Sequence, residues 1–327
     1  MLEDYRVVFT GKEQAALARH CFDERPGPGE ITGKNIISLI STGSERGGFT
    51  QQFPRGRYPM QTGSSSIAEV LQIGEGVNRY RPGDLFFHDG NHALYARTAA
   101  EDTVTIPEGL APEKAIFGRY AAVSMTSIFR MRSRPVDTIA VTGLGLVGLM
   151  CAQTLVCMGY KVYAVDPAPE RRAIAALTNL NNIAADLTAW PDLKKSLGAL
   201  MECSGNEHAL RSALPFMRPG SDMFQVGVPW HKNSDWDAHS LLYDLFYAYV
   251  SLHGGWEWYL PKKPTDFEPH CSYSHIRSAM ELIAEDRIKV VPEMYELRTP
   301  EDCRGVYQDI AGQHPPASII LDWRKLG

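Results

Sequence analysis

Short alternating or apolar runs, broken by glycine and proline, fill the first third of the chain. Arg6–Thr10 alternates polar and apolar positions, and Asn35–Ile40 and Ile67–Ile73 are strand-like. Leu85-Phe86-Phe87 follows the turn Arg81-Pro82-Gly83-Asp84. Turn chemistry also marks Pro26-Gly27-Pro28-Gly29-Glu30 and Gly74-Glu75-Gly76-Val77. This punctuation predicts a compact, barrel-like β domain over residues 1 to about 110.

A helical stretch from Pro112 to about Arg130 follows, and then the rhythm changes. The β-branched run Thr138, Ile139 and Val141 reads as a buried strand, Leu146 to Met158 as an apolar helix, and Lys161–Val165 as the next strand. Helices at Pro169–Leu177 and Glu207–Met217 then alternate with strands at Leu200–Cys203, Asp222–Val226 and Tyr249–Leu252. That alternation predicts βαβ units and a doubly wound parallel sheet. The last part offers a helix (Tyr273–Glu285), a strand (Val290–Leu297), a helix (Glu301–Ile310) and a closing strand (Ala317–Leu321), and is assigned back to the first domain. The expectation is an α/β protein of two domains: 1–118 completed by 265–327, and a dinucleotide-binding domain over 119–264.

Composition narrows the class of partner. With 327 residues, two cores are expected. A net charge of −5 without a basic stripe offers no footprint for nucleic acid. No apolar run approaches the roughly 20 residues that span a bilayer. Met1–Tyr5 carries two acids and lacks the apolar centre of a signal peptide, so a cytoplasmic protein acting on a small molecule is expected. Cys21, Cys151, Cys157, Cys203, Cys271 and Cys303 form no C-x-x-C pair, which argues against a disulfide framework or a cysteine-rich zinc lobe.

The chemistry concentrates where the strand run stops. Gly143, Gly145 and Gly148 form G-x-G-x-x-G between a strand and a helix, the context this fingerprint requires. Gly143 permits the tight turn, Gly145 removes a Cβ that would keep backbone from a diphosphate, and Gly148 lets helix and strand pack closely. The free N–H groups at Leu146 and Val147 and the helix dipole then face the phosphates. Asp166 ends the next strand, 18 residues beyond Gly148, where a carboxylate accepts ribose hydroxyls and repels a 2′-phosphate. NAD is therefore expected over NADP. Arg171 and Arg172 soften that preference, since a nearby arginine accommodates the extra phosphate.

The order of these landmarks, with Pro82-Gly83-Asp84, Glu202-Cys203-Ser204-Gly205 and Gln225-Val226-Gly227-Val228, resembles the medium-chain dehydrogenase/reductase superfamily nearly end to end. The resemblance implies a GroES-like β-rich catalytic domain, a Rossmann domain, a homodimer or homotetramer, and a nucleotide lined by Ser204, Gly205 and Gly227. In zinc-dependent members a Cys-Gly-Thr-Asp loop supplies the first metal ligand. Here Ile40-Ser41-Thr42-Gly43-Ser44-Glu45 stands in its place. Gly63-Ser64-Ser65 replaces the usual Gly-His-Glu, and Tyr120 falls at the third ligand position. Hydroxyls compete poorly with thiolate or imidazole for zinc, so no catalytic metal is expected. Ser41-Thr42-Gly43-Ser44-Glu45 is similar to the Ser-x-Gly-Thr-Glu loop of the zinc-less branch, seen in bacteriochlorophyllide dehydrogenases and some sugar or cyclitol dehydrogenases.

Without a metal, side chains must move the proton and stabilise alkoxide charge. Tyr120 is the first candidate acid, with Arg119 beside it to lower its pKa or to bind an anionic group. The plainer alternative is a tyrosine packed on its helix. Ser44 is a candidate proton relay or a turn residue, and Glu45 a candidate base or a solvated loop acid. Ser64, with Ser41 and Ser65, would line the vacated site. His88 and His92 titrate near neutrality and are candidate proton donors. The aromatic run Leu241–Tyr249 with His253, Trp256, Trp258 and Tyr259 reads as a substrate wall or a subunit interface. The expected reaction is NAD-dependent interconversion of a secondary alcohol and a ketone on a polyol, sugar or cyclitol-like substrate. An enone or quinone reductase and an inactive nucleotide sensor are the alternatives.

Overall fold

The computed structural model describes residues 1–52, 57–312 and 317–326. The chain divides into two compact units, Met1–Gly118 with Pro292–Gly327, and Arg119–Val291.

In the first unit the described residues of the expected barrel-like domain form two sheets. One has three strands in the order Gln14–Phe22, Leu2–Gly11 and Met60–Gln61. The other has seven and is centred on Glu30–Leu39, which pairs antiparallel with Ser66–Ile73, Tyr95–Ala99 and Ser318–Asp322. The last of these comes from the C-terminal part of the chain. The strand Gln14–Phe22 escapes sequence reading because Ala15-Ala16-Leu17-Ala18 has helical propensity. Its pairing from Leu2↔Phe22 to Gly11↔Gln14 overrides that preference. One core of this unit joins Val7, Phe9, Phe49, Tyr307 and Trp323, all essentially inaccessible. The Phe9 ring meets Tyr307 edge-on at 4.7 Å, a favoured aromatic arrangement.

Residues Thr42–Phe49 are helical, where the sequence reads as a polar loop. Ser44 and Glu45 therefore sit on a helix that buries Glu45 and Phe49.

The second unit carries one parallel sheet of six strands. Its order is Ile183–Ala184, Lys161–Val165, Thr138–Thr142, Leu197–Glu202, Met217–Gln225 and Ser251–Gly254. Numbered within the unit this is 3-2-1-4-5-6, the doubly wound Rossmann order. Ile139, Val141, Leu200 and Met201 are fully buried, as expected for strands covered on both faces. Strand order reverses between Thr138–Thr142 and Leu197–Glu202, so the crevice at their carboxyl ends is the switch point where such sheets take ligands.

The helix Ser272–Ala284 belongs to this second unit, so the chain returns to the first unit at Pro292 and not at 265. Side-chain contacts explain the shift. His275 stacks on Phe129 with ring centroids 4.9 Å apart, and Gln153 exchanges hydrogen bonds with the Lys289 backbone.

Candidate active site and nucleotide cradle

In the second unit, Gly143 adopts φ +83°, and a Cβ there would fall 2.7 Å from the Ser204 nitrogen. A Cβ on Gly148 would lie 1.7 Å from the Gly143 carbonyl oxygen, so helix and strand touch backbone to backbone. Gly145 differs from both. Its Cβ would find only Arg171 Nη1, at 3.9 Å, so the surface above it is open. Gly145 also N-caps the helix Leu146–Cys157 with no side-chain cap, which leaves the amides of Leu146 and Val147 at an uncapped, positive helix end.

Asp166 is 2% exposed. One carboxylate oxygen accepts the Leu144 amide at 2.7 Å and lies 3.4 Å from Arg171 Nη1, and the other accepts the Ala168 amide at 2.9 Å. The acid thus ties the glycine turn to its own strand end, and a cation stands beside it. Arg172 donates to the Asp166 and Pro167 carbonyls. Next to this cradle lies a cavity of about 520 Å³, whose lining includes Thr142, Gly143, Ser204, Asn206 and Trp236. Gly205 and Gly227 are packed without room for a side chain. A Cβ on Gly205 would lie 2.4 Å from the Val228 oxygen, and one on Gly227 would lie 2.3 Å from the Gly205 nitrogen.

The candidate catalytic residues divide between the units. In the first, Ser44 is exposed on its helix and Ser64 is half-buried. Glu45 is 8% exposed, so the solvated-acid alternative is corrected. Its carboxylate receives the Ser41 amide at 2.8 Å, His92 Nε2 at 3.1 Å and the Tyr307 hydroxyl. His92 Nδ1 lies 2.7 Å from Ser38 Oγ, which also accepts the Trp323 indole N–H at 2.8 Å. An indole N–H only donates, so the Ser38 hydroxyl proton is free to point at His92 Nδ1. In the neutral ring the proton then sits on Nε2, aimed at Glu45. Burial, with the adjoining Glu45 carboxylate, holds the Tyr307 phenol well above its ordinary pKa, so it remains a donor. Gly63, at φ +95°, leaves no room for a Cβ against the His92 nitrogen, 2.4 Å away, and so packs the Gly63-Ser64 turn on this network.

His88 has a different setting. Its Nε2 lies 2.8 Å from Asn35 Oδ1, while Asn35 Nδ2 donates to the Ala93 carbonyl. Burial lowers its pKa to about 4, which keeps the ring neutral near physiological pH. It serves as a strand clamp here, and the proton-donor assignment does not suit it.

In the second unit Tyr120 is 4% exposed on the helix Gly118–Arg130. Arg119 forms an ion pair with Glu257 at 2.7 Å, and both side chains are largely buried. Its charge is thereby matched within the unit, which corrects the expectation that it binds an anionic substrate group. Among the described residues no three His, Cys, Asp or Glu side chains stand together as a metal-holding group. Ser41, Ser64 and Tyr120, at the positions the resemblance gives to zinc ligands, are hydroxyl donors and do not fit that ion. Sequence reasoning missed Tyr307, Ser38, Trp323 and Glu202. The Glu202-Cys203-Ser204-Gly205 segment was visible, but nothing in it marks the acid as an anchor.

Comparison with known proteins accords with this architecture. Residues 147–259 match the zinc-binding dehydrogenase family model. The acryloyl-coenzyme A reductase of Metallosphaera sedula is 27% identical over 203 residues, which covers 51% of this chain and 60% of that protein. The chain thus spans less than two thirds of the curated relatives it first matches. Among solved structures, galactitol-1-phosphate dehydrogenase from Escherichia coli superposes with a TM-score of 0.81 at 17% identity, covering 97% of this chain and 99% of that one. Acetophenone reductase from Geotrichum candidum in complex with NAD gives 0.80 at 16% identity, covering 99% and 98%. The family match falls within the second unit, and the solved structures share the fold of the chain.

Proposed function

We propose that the chain is a nicotinamide-dependent oxidoreductase that interconverts a secondary alcohol and a ketone on a hydroxylated, polyol-like substrate without zinc. The observation that carries this reading is the uncapped helix end above Gly145 at the switch point of the sheet. The Leu146 and Val147 amides would hold the diphosphate and Asp166 the ribose hydroxyls. When bound, the nicotinamide supplies the hydride donor or acceptor. The likeness to galactitol-1-phosphate dehydrogenase favours a polyol, the NAD- and NADP-bound neighbours favour a nicotinamide nucleotide, and Asp166 is the reason to propose NAD. Arg171, 3.4 Å from Asp166, tempers the preference against NADP.

The proton falls to side chains. Tyr120, on the second unit, is the proposed donor to the carbonyl oxygen. Glu45 and His92 form a buried acid–imidazole pair within the first unit. Metal analysis of pure, active protein tests the zinc-free chemistry, and stoichiometric zinc refutes it. Turnover of Tyr120→Phe equal to wild type removes Tyr120 from the proton step.

The likeness to an acryloyl-coenzyme A reductase favours a second reading, hydride addition to an activated double bond. Assaying alcohols, ketones and enones with both nucleotides separates the two. Self-association is also proposed. Phe246, Tyr247 and Trp256 are 77%, 70% and 68% exposed, beside the outermost strand Ser251–Gly254. Light scattering that shows a monomer at working concentration would remove this proposal. Among the described residues no helix is long and apolar enough to cross a membrane.

A further inference from the structure

Glu202 ends the strand that flanks the switch point, in register with Thr142 on one side and Gln225 on the other. It is fully buried. One carboxylate oxygen accepts the Ser204 amide at 2.8 Å and the Ser204 hydroxyl, with the Thr142 hydroxyl at 3.4 Å. The other accepts the Gly205 amide at 3.0 Å and the Gln225 side-chain amide. Its main-chain oxygen accepts the Val226 amide at 2.8 Å and the Gly227 amide at 2.7 Å. One residue therefore gathers donors from the ends of three neighbouring strands.

These strand ends have no slack. A Cβ on Gly143 would meet the Ser204 nitrogen, one on Gly205 the Val228 oxygen, and one on Gly227 the Gly205 nitrogen, all under 3.0 Å. The Ser204 turn forms one wall of the glycine fingerprint and lines the adjoining cavity. Burying a carboxylate is costly unless its lone pairs are met, and this one meets donors that only an ionised acceptor satisfies together. Burial raises the Glu202 carboxyl above its ordinary pKa while these bonds pull it back.

We infer that Glu202 is a positioning residue for the dinucleotide, resting on the nucleotide reading above. Its carboxylate fixes the Ser204-Gly205 and Gln225-Gly227 turns against Gly143 so that the diphosphate cradle is formed before the nucleotide arrives. It touches no nucleotide itself. Such preorganisation appears as affinity, because loops already ordered lose less freedom on binding.

The test is Glu202→Gln, which keeps shape and volume but turns one acceptor oxygen into a donor facing donors. Calorimetric titration with NAD+ should show binding weakened at least tenfold per folded molecule. Amide exchange at Ser204, Gly205 and Gly227 should accelerate, while that of Ile139–Val141 stays protected. A loss of global stability alone would not produce that local pattern. Ser204→Ala and Gln225→Met, each removing one donor side chain, should weaken NAD+ binding by a smaller, several-fold factor. They keep the test open if Glu202→Gln fails to fold. Wild-type affinity in every folded variant overturns the inference, as does uniform loss of protection across the sheet. Absence of NAD+ and NADP+ binding by the wild-type chain overturns the nucleotide reading instead.

Discussion

Adding the same methyl group at two glycines of one turn should separate the nucleotide's needs from the fold's. At Gly145 the backbone (φ −69°, ψ −171°) is open to any residue, and the new Cβ has only Arg171 Nη1 within 4 Å. Alanine is a poorer N-cap than glycine, but it restricts the unfolded chain. The two effects oppose, and stability should change by less than about 1 kcal/mol. The methyl instead occupies the space a diphosphate needs for close approach. It would push phosphate oxygens off amides whose charge-assisted bonds are each worth about 1.5–3 kcal/mol. Losing one such bond weakens binding by roughly ten- to a hundredfold.

At Gly148 the balance is reversed. Its Cβ would lie 1.7 Å from the Gly143 oxygen and 3.1 Å from the Cys203 Cβ, and the first of these is backbone that cannot rotate away. Overpacking of this kind costs about 1–3 kcal/mol or more and should lower the melting temperature. Calorimetry with NAD+ and thermal unfolding of Gly145→Ala, Gly148→Ala and wild type decide the matter. Undiminished NAD+ affinity in Gly145→Ala would take the diphosphate off this helix end. Wild-type melting of Gly148→Ala would refute the packing argument.

Three further outcomes follow from the geometry. Asp166→Ala should narrow the proposed preference for NAD over NADP by about tenfold, and Arg171→Ala should widen it, since one removes the proposed repelling carboxylate and the other the cation beside it. Equal affinity ratios in both variants would refute that assignment. Tyr307→Phe should destabilise the chain by about 1–3 kcal/mol in urea titration, because a buried carboxylate loses a donor. In a double-mutant cycle with Glu45→Gln the two losses should fail to add, and additive values would break the proposed link. Finally, the His88 pKa falls from 6.5 unfolded to about 4 folded, so the unfolded chain binds the extra proton between those values. Its contribution is intact above pH 6.5 and is lost as pH falls toward 4, by up to about 3 kcal/mol. His88→Gln should flatten the pH dependence of the urea midpoint over that window, and an unchanged slope would place the acid sensitivity elsewhere.

What the sequence could and could not disclose follows from how far apart the partners lie. The cradle was legible because strand, turn, helix and acid fall within Thr138–Asp166, and glycine spacing there encodes backbone contacts directly. The setting of Glu45 was not, because its partners are His92 and Tyr307, and the chain of bonds runs on through Ser38 to Trp323. Pairings across such separations leave no periodicity, so a buried acid at Glu45 looks like a loop acid until the C-terminal strand and helix join the first sheet. Arg119 was misjudged for the same reason, since its counter-charge Glu257 is far along the chain. Glu202 is the instructive intermediate. Its motif could be seen, yet its role depends on three strand ends meeting at one switch point. Only the parallel register of Thr142, Glu202 and Gln225 turns an acid at the end of a strand into a clamp. Residues proposed to touch the nucleotide can therefore be read locally, whereas those proposed to hold them in place require the topology.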